Sequence, residues 1–209
     1  MTRGRFITVE GAEGVGKTTQ LAYIMNWLEE REVPAIQTRE PGGTELGEVL
    51  RDLVLDKTNE LSHQTELLLI FAARSDHWQN KIKPALERGC WVLSDRFTDA
   101  SYAYQGGGRG MKKEQIDQLE QLVLGSARPD LTLLLDMPTQ SAANRVEKRG
   151  NKDRFEMEEI EFFARVRETY LTRAREFPQR IKVIQADQDI ESVKADIVTA
   201  LDAFWSDTR

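Results

Sequence analysis

Phe6-Ile7-Thr8-Val9-Glu10-Gly11-Ala12-Glu13-Gly14-Val15-Gly16-Lys17-Thr18-Thr19 decides the fold. Phe6 to Val9 is a short apolar, β-branched run of the kind that forms a buried strand. Gly11 to Thr18 fits G-x-x-x-x-G-K-[ST], and a helical pattern runs on from Lys17 to about Arg31. Each position has a physical reason. Glycines let backbone N–H groups converge on phosphate oxygens without Cβ clashes. Lys17 brings a cation to the β and γ phosphates, and the Thr18 hydroxyl is a ligand for Mg²⁺. The helix start adds free N–H groups and a positive dipole end. The spacing is not that of the dinucleotide pattern G-x-G-x-x-G.

Outward from this loop, short apolar runs alternate with longer amphipathic stretches. Ala35 to Thr38, Trp91 to Leu93, Leu131 to Leu135 and Ile181 to Ile184 read as further strands. Helices are expected from Glu45 to Leu55 and from Gln64 to Arg88, where Pro84 should kink or end the helix. A last helix, Ile190 to Trp205, places Ile190, Val193, Ile197, Leu201 and Phe204 on one face. This alternation predicts one α/β domain over residues 1–209, a five-stranded parallel sheet with helices on both faces. Such sheets bind ligands at the carboxyl ends of their strands. The loops after Val9, Thr38, Leu93 and Leu135 are therefore where a site is expected. A second glycine cluster, Gly106 to Gly110 around Arg109, reads as a flexible turn between helices.

Composition narrows the function. Lys plus Arg is 29 against 35 Asp plus Glu, a formal charge of −6. That argues against a general nucleic-acid binder, which needs a basic face. Apolar runs such as Leu67 to Ala73 fall far short of the roughly 18 residues of a membrane helix. Cys90 is the only cysteine and His63 and His77 the only histidines, which argues against a multi-cysteine or His-rich metal centre. The first residues carry no long apolar stretch, so no signal peptide is read and a cytoplasmic location is expected.

Further features lie at the strand ends. Asp95-Arg96 follows the third strand, where an acid can hold Mg²⁺ and an Arg can clamp phosphate; a surface ion pair is the plainer alternative. Arg39-Glu40-Pro41-Gly42-Gly43-Thr44 follows the second. Phe71 and Arg74 share a helix face. Taken alone they read as a core Phe with a surface Arg, although stacking beside hydrogen bonding also suits a planar base. Asn151-Lys152-Asp153 is not the N-K-x-D element by which GTPases read guanine.

In order, the chain carries Phe6 to Thr19, Arg-Glu-Pro-Gly-Gly-Thr (Arg39 to Thr44), Phe-Ala-Ala-Arg (Phe71 to Arg74), Asp-Arg-Phe (Asp95 to Phe97) and Ala-Tyr-Gln-Gly (Ala103 to Gly106). Arg-Pro-Asp-Leu-Thr-Leu-Leu-Leu-Asp (Arg128 to Asp136) and an Arg-rich Arg149 to Arg154 follow. The chain thereby resembles the bacterial thymidylate kinases over essentially its whole length. The resemblance implies a nucleoside-monophosphate-kinase fold, ATP as co-substrate, Mg²⁺, and usually a homodimer. It implies transfer of the ATP γ-phosphoryl to dTMP, giving dTDP and ADP and so supplying dTTP synthesis.

By the same resemblance, Gly11, Ala12, Glu13, Gly14, Val15, Gly16, Lys17, Thr18 and Thr19 hold ATP, with Thr18 and Asp95 on the metal. Phe71 would stack on thymine and Arg74 would bond its polar edge, with Ser101 and Gln105 completing the base pocket. Tyr104 would crowd the sugar 2′ position, Arg51 and Arg96 would hold the dTMP phosphate, and Glu13 would sit near the 3′-hydroxyl or the metal shell. Phe97, where the family often has Tyr or His, and Tyr102, where a small or polar residue is common, depart from the pattern.

Phosphoryl transfer between anions needs cations, and none of Ala12, Glu13, Gly14 and Val15 is basic. Arg145 to Arg154 carries a net +3 within this acidic chain. A lid at about 145–156 is therefore expected to fold over ATP, hinged at Gly150 and Asn151. Arg149 would reach the transferring phosphoryl, with Arg154 supporting, so the catalytic set is Lys17, Asp95, Arg96 and Arg149.

Overall fold

The computed structural model describes residues 3–150 and 153–206, apart from the Arg149 side chain. Five strands form one parallel sheet: β1 Phe6–Glu10, β2 Ala35–Arg39, β3 Trp91–Asp95, β4 Leu131–Asp136 and β5 Ile181–Gln185. Their order is β2-β3-β1-β4-β5. All five expected strands are present. Each runs on to a polar residue at its carboxyl end, and Asp95 lies level with both Val9 and Arg39. The phosphate loop after β1 thus stands beside the loops after β2 and β3.

Alternation along the strands builds two cores. Ile7, Val9, Leu93, Leu131, Leu133 and Leu135 face one way, onto α1 (Lys17–Glu29) and α9 (Ile190–Ser206). Phe6, Val92 and Leu134 face the other way. They meet α3 (His63–His77), α4 (Lys83–Glu87) and α8 (Ile160–Glu176). Both faces are covered, which is why the inner strands read as nearly unbroken apolar runs. The other helices are α2 (Glu45–Leu55), α5 (Thr98–Ser101), α6 (Lys113–Leu124) and α7 (Thr139–Arg149). Thr44 and Ser62 cap α2 and α3, accepting from the Gly47 and Thr65 amides. No described helix is long and apolar enough to cross a membrane.

Two expectations need correction. The chain stays helical past Pro84: Trp78–Ile82 opens into wider turns, and Pro84 falls in the first turn of α4, where its missing N–H has no partner to lose. The glycines at 106–108 do not form a flexible turn. They end a wide-turned helical segment, Tyr102–Gly108, that packs on α8. A Cβ on Gly107 would lie 2.0 Å from Thr169 Oγ1, and one on Gly108 would lie 2.4 Å from the Phe162 ring. Glycine serves close approach there.

Candidate active site

The phosphate loop crosses from β1 to α1 as a nest of backbone amides. Gly14 has φ +79, and a Cβ on it would lie 2.4 Å from the Ala142 carbonyl of α7, so only glycine fits. Gly16 precedes α1, whose first turn has no side-chain cap. Its N–H groups are left to meet an anion. Lys17 Nζ folds back over the loop, donating to the Ala12 and Gly11 carbonyls at 2.9 and 3.2 Å. Burial and the nearby Arg96 guanidinium pull its ammonium below the usual range, against the opposing pull of Asp95 and Glu13.

Arg96 is the joint between this loop and the neighbouring cavity. Its backbone is left-handed, at φ +70. The turn is gripped by three bonds: Arg96 N–H to Val9 O, Ser94 Oγ–H to Arg96 O, and Phe97 N–H to a carboxylate oxygen of Glu10. The guanidinium donates to the Gly11 carbonyl (2.8 Å), Glu13 Oε1 (2.7 Å), and the hydroxyls of Tyr104 and Tyr170 (3.0 and 3.1 Å). Burial works against its charge, yet Glu13 and the two tyrosines hold its pKa well above the ordinary value. Burial raises Glu13 too, but Arg96 and Lys17 prevail and pull its carboxyl down. Tyr104 also donates to Glu13.

The cavity beyond Arg96 is lined by Arg51, Arg74, Ser101, Tyr104, Gln105 and Glu13, with Ile70, Phe97 and Phe155 among its apolar walls. Arg74 is buried and fixed on three sides: Nε donates to Glu40 (2.7 Å), Nη1 to Ser101 Oγ (2.9 Å) and Nη2 to the Phe97 carbonyl (3.0 Å). Arg51 enters from α2 and donates to the Pro41 carbonyl at 2.9 Å. Seven of the eight residues assigned to the acceptor by resemblance therefore meet around one space. Phe71 is the exception and the assignment is corrected. It lies behind Arg74, 4.6 Å below the guanidinium, packed with Leu67, Tyr102 and Ile116. Ile70 and Phe97 face the cavity instead.

Asp95 and Thr18 line one further cavity beside the loop. Asp95 Oδ1 is buried without a hydrogen-bond donor among the described residues. A carboxylate oxygen left open beside a hydroxyl and an anion nest suits Mg²⁺, which keeps phosphate oxygens and waters for its other positions. No cluster of three metal-ligating side chains occurs among the described residues. Such an ion would come with the nucleotide.

The segment at 145–156 divides. α7 carries it to Arg149; the Arg149 side chain and residues 151–152 lie outside what is described. Past them Arg154 does not face the phosphate loop. It turns inward, donating to Glu66 (2.6 Å) and the Val54 carbonyl (2.7 Å), and this corrects its supporting role toward ATP. Phe155 packs edge-on to Tyr104, 5.6 Å between ring centres.

The thymidylate kinase family model matches residues 9–197. The chain belongs to the thymidylate kinase family. It is 53% identical to the thymidylate kinase of Chromohalobacter salexigens, covering 99% of this chain and all of that one. It is 50% identical to that of Nitrosomonas europaea over 99% of this chain and 96% of the relative. The crystal structure of the Ehrlichia chaffeensis thymidylate kinase superposes with a TM-score of 0.78 at 35% identity, covering 96% of this chain and 99% of that chain.

Within this family frame, three site residues escaped the sequence reading: Glu10, Tyr170 and Glu66. Tyr170 donates to Glu10 Oε2 at 2.7 Å while accepting from Arg96. Desolvation, with Asp99 nearby, pushes the Glu10 carboxyl up to about 7. The one available signal was a Glu ending an apolar strand, which marks a polar group that folding must bury with partners.

Proposed function

We propose that this chain transfers the γ-phosphoryl group of ATP to dTMP in the cavity beside Arg96, yielding dTDP and ADP for dTTP synthesis. One observation carries the reading: Arg96 and Glu13 join the phosphate loop directly to a cavity whose polar groups suit a pyrimidine. Family membership supports the same activity.

The chemistry asks for placement and charge rather than a base. A phosphate monoester has its second pKa near about 6, so the acceptor oxygen is already largely anionic at neutral pH. That oxygen forms a bond to the γ-phosphorus while the bond to the β–γ bridging oxygen breaks, and ADP leaves with that oxygen. Lys17 and the α1 amides hold the donor phosphates. Arg96 and Arg51 hold the acceptor phosphate, and Arg74, Ser101 and Gln105 orient the base. Glu13 fixes Arg96 and borders the sugar. Tyr104, tied to Glu13 and Arg96, presents a rigid wall where a 2′-hydroxyl would go. Thr18 and Asp95 would hold Mg²⁺, whose charge would offset that of the phosphates. A lid at about 145–156, with Arg149 over the transferring group, completes the screen against water.

The working unit is a cytoplasmic homodimer. Leu46, Val49 and Leu53 form an exposed stripe along α2, beside exposed Leu68 on α3. Such a stripe is an economical interface between copies. Coupled ADP release with ATP, Mg²⁺ and a panel of nucleoside monophosphates tests the substrate. Turnover with dTMP well above the other monophosphates is expected; selective turnover of another monophosphate, or ATP hydrolysis indifferent to all of them, overturns the reading.

A further inference from the structure

Behind the cavity lies a carboxylate that the transfer does not use. Glu66, on α3, has no solvent exposure. Its Oε1 accepts from Gln105 Nε2 at 2.8 Å. Its Oε2 takes Arg154 at 2.6 Å and lies 3.3 Å from Arg109 Nη2. Facing two guanidinium groups, Glu66 offers acceptors only. The Gln105 amide therefore has a fixed polarity. Nε2 must face Glu66, and Oε1, which takes no donor among the described residues, is left for the cavity that Gln105 lines.

The ligand thus meets an acceptor from Gln105 beside a donor from Arg74. Arg74 commits three N–H groups to Glu40, Ser101 and Phe97, and a guanidinium has five. The complementary edge is a ring N–H next to a carbonyl oxygen, as in a 4-oxo pyrimidine. A 4-amino pyrimidine offers the reverse: a ring nitrogen lone pair beside an amino group. To receive that edge, Gln105 would have to turn Oε1 toward Glu66. Two acceptors would then face each other between side chains that are both fully buried.

We propose that Glu66 is a positioning residue for base selection: by holding Gln105 Nε2 it locks the amide to read a ring N–H and makes the pocket reject 4-amino pyrimidine nucleotides. The proposal rests on the reading of this cavity as the dTMP site.

The test compares kcat/KM for dTMP and for dCMP in the wild type, Glu66→Gln, Glu66→Asp and Arg154→Met. In Glu66→Gln the new amide donates as readily as it accepts, so Gln105 is free to turn. The dTMP-to-dCMP ratio should fall by about tenfold. Glu66→Asp keeps the charge but shortens the reach of both oxygens, which lengthens the contact to Gln105, and the ratio should fall in the same direction. Arg154→Met leaves the Glu66–Gln105 bond in place; its rate drops on both substrates and its ratio stays at the wild-type value. A merely structural role lowers both substrates together. An unchanged ratio in folded Glu66 variants overturns the proposal. So does an equal fall in Arg154→Met, or loss of cooperative unfolding in both Glu66 variants. A wild type that ignores dTMP fails the functional reading itself, a result distinct from all of these.

Discussion

Arg74 shows how the fold fixes a buried cation at the wall of a cavity. Glu40 neutralises it, Ser101 and the Phe97 carbonyl aim it, and Phe71 supports its flat face. Arg74→Ala should raise the KM for dTMP by roughly 10- to 100-fold, the loss of a charged hydrogen bond of about 1.5–3 kcal/mol, with little change for ATP. Steady-state kinetics with each substrate varied in turn checks this, and an equal effect on both would make Arg74 structural. Glu10 gives a prediction in pH. Its folded pKa of about 7 lies above the 4.5 of an unhindered Glu. Its neutral form thus favours folding, a contribution present below about 4.5 and lost as pH rises through about 7. Asp99, held down to about 2 despite its burial by Arg180 and Arg173, has the opposite sign and matters only in strong acid. Urea melts between pH 4.5 and 8 should show Glu10→Gln gaining stability relative to wild type as pH rises; a parallel pair of curves would contradict this.

α7 and the chain after it show what a charge cluster tells and what it leaves out. Basic residues clustered in an acidic chain led to the expectation of a lid at 145–156; just past α7, Gly150 has a positive φ, +67. What charge alone misses is that Arg154 finds a buried partner, Glu66, 88 positions earlier. Arg149→Ala should lower kcat by at least about a hundredfold with ATP affinity nearly unchanged, because the contact strengthens in the transition state. Arg149→Lys should recover only part. Single-turnover kinetics with separate ATP titration decides it; an unchanged kcat removes Arg149 from the reaction. The same contrast between local and distant constraints runs through the rest. The strands and the phosphate loop were legible because period-two patterning and glycine spacing are local. Phe71 was placed on the base by resemblance alone; the residue-level reading of a core Phe agrees with its burial, whereas Arg74, read as a surface residue, is buried. Gly107 and Gly108 read as a turn because their constraint, the surface of α8, lies far along the chain. Tyr170 and Glu10, 160 positions apart, carried no local signal as partners.

The phosphate loop and the cavity that Arg96 joins to it meet at the carboxyl end of the parallel sheet, and α2 carries an exposed apolar stripe. Val49 is 58% exposed at the middle of that stripe. Val49→Asp should shift the particle from dimer to monomer in light scattering at micromolar concentration, since a charge buried without a partner opposes association. A wild type that is already monomeric would contradict the homodimer. The central claim is that this fold moves a phosphoryl group from ATP to dTMP over Lys17. Phosphorus NMR of ATP, Mg²⁺ and dTMP with the wild type and with Lys17→Ala follows donor and product in one tube. The wild type should consume the ATP γ signal as dTDP β-phosphate appears, and Lys17→Ala should fold normally yet run slower by on the order of a thousandfold, about 4 kcal/mol of lost transition-state stabilisation. Inorganic phosphate in place of dTDP, or near-normal transfer by a folded Lys17→Ala, would contradict it.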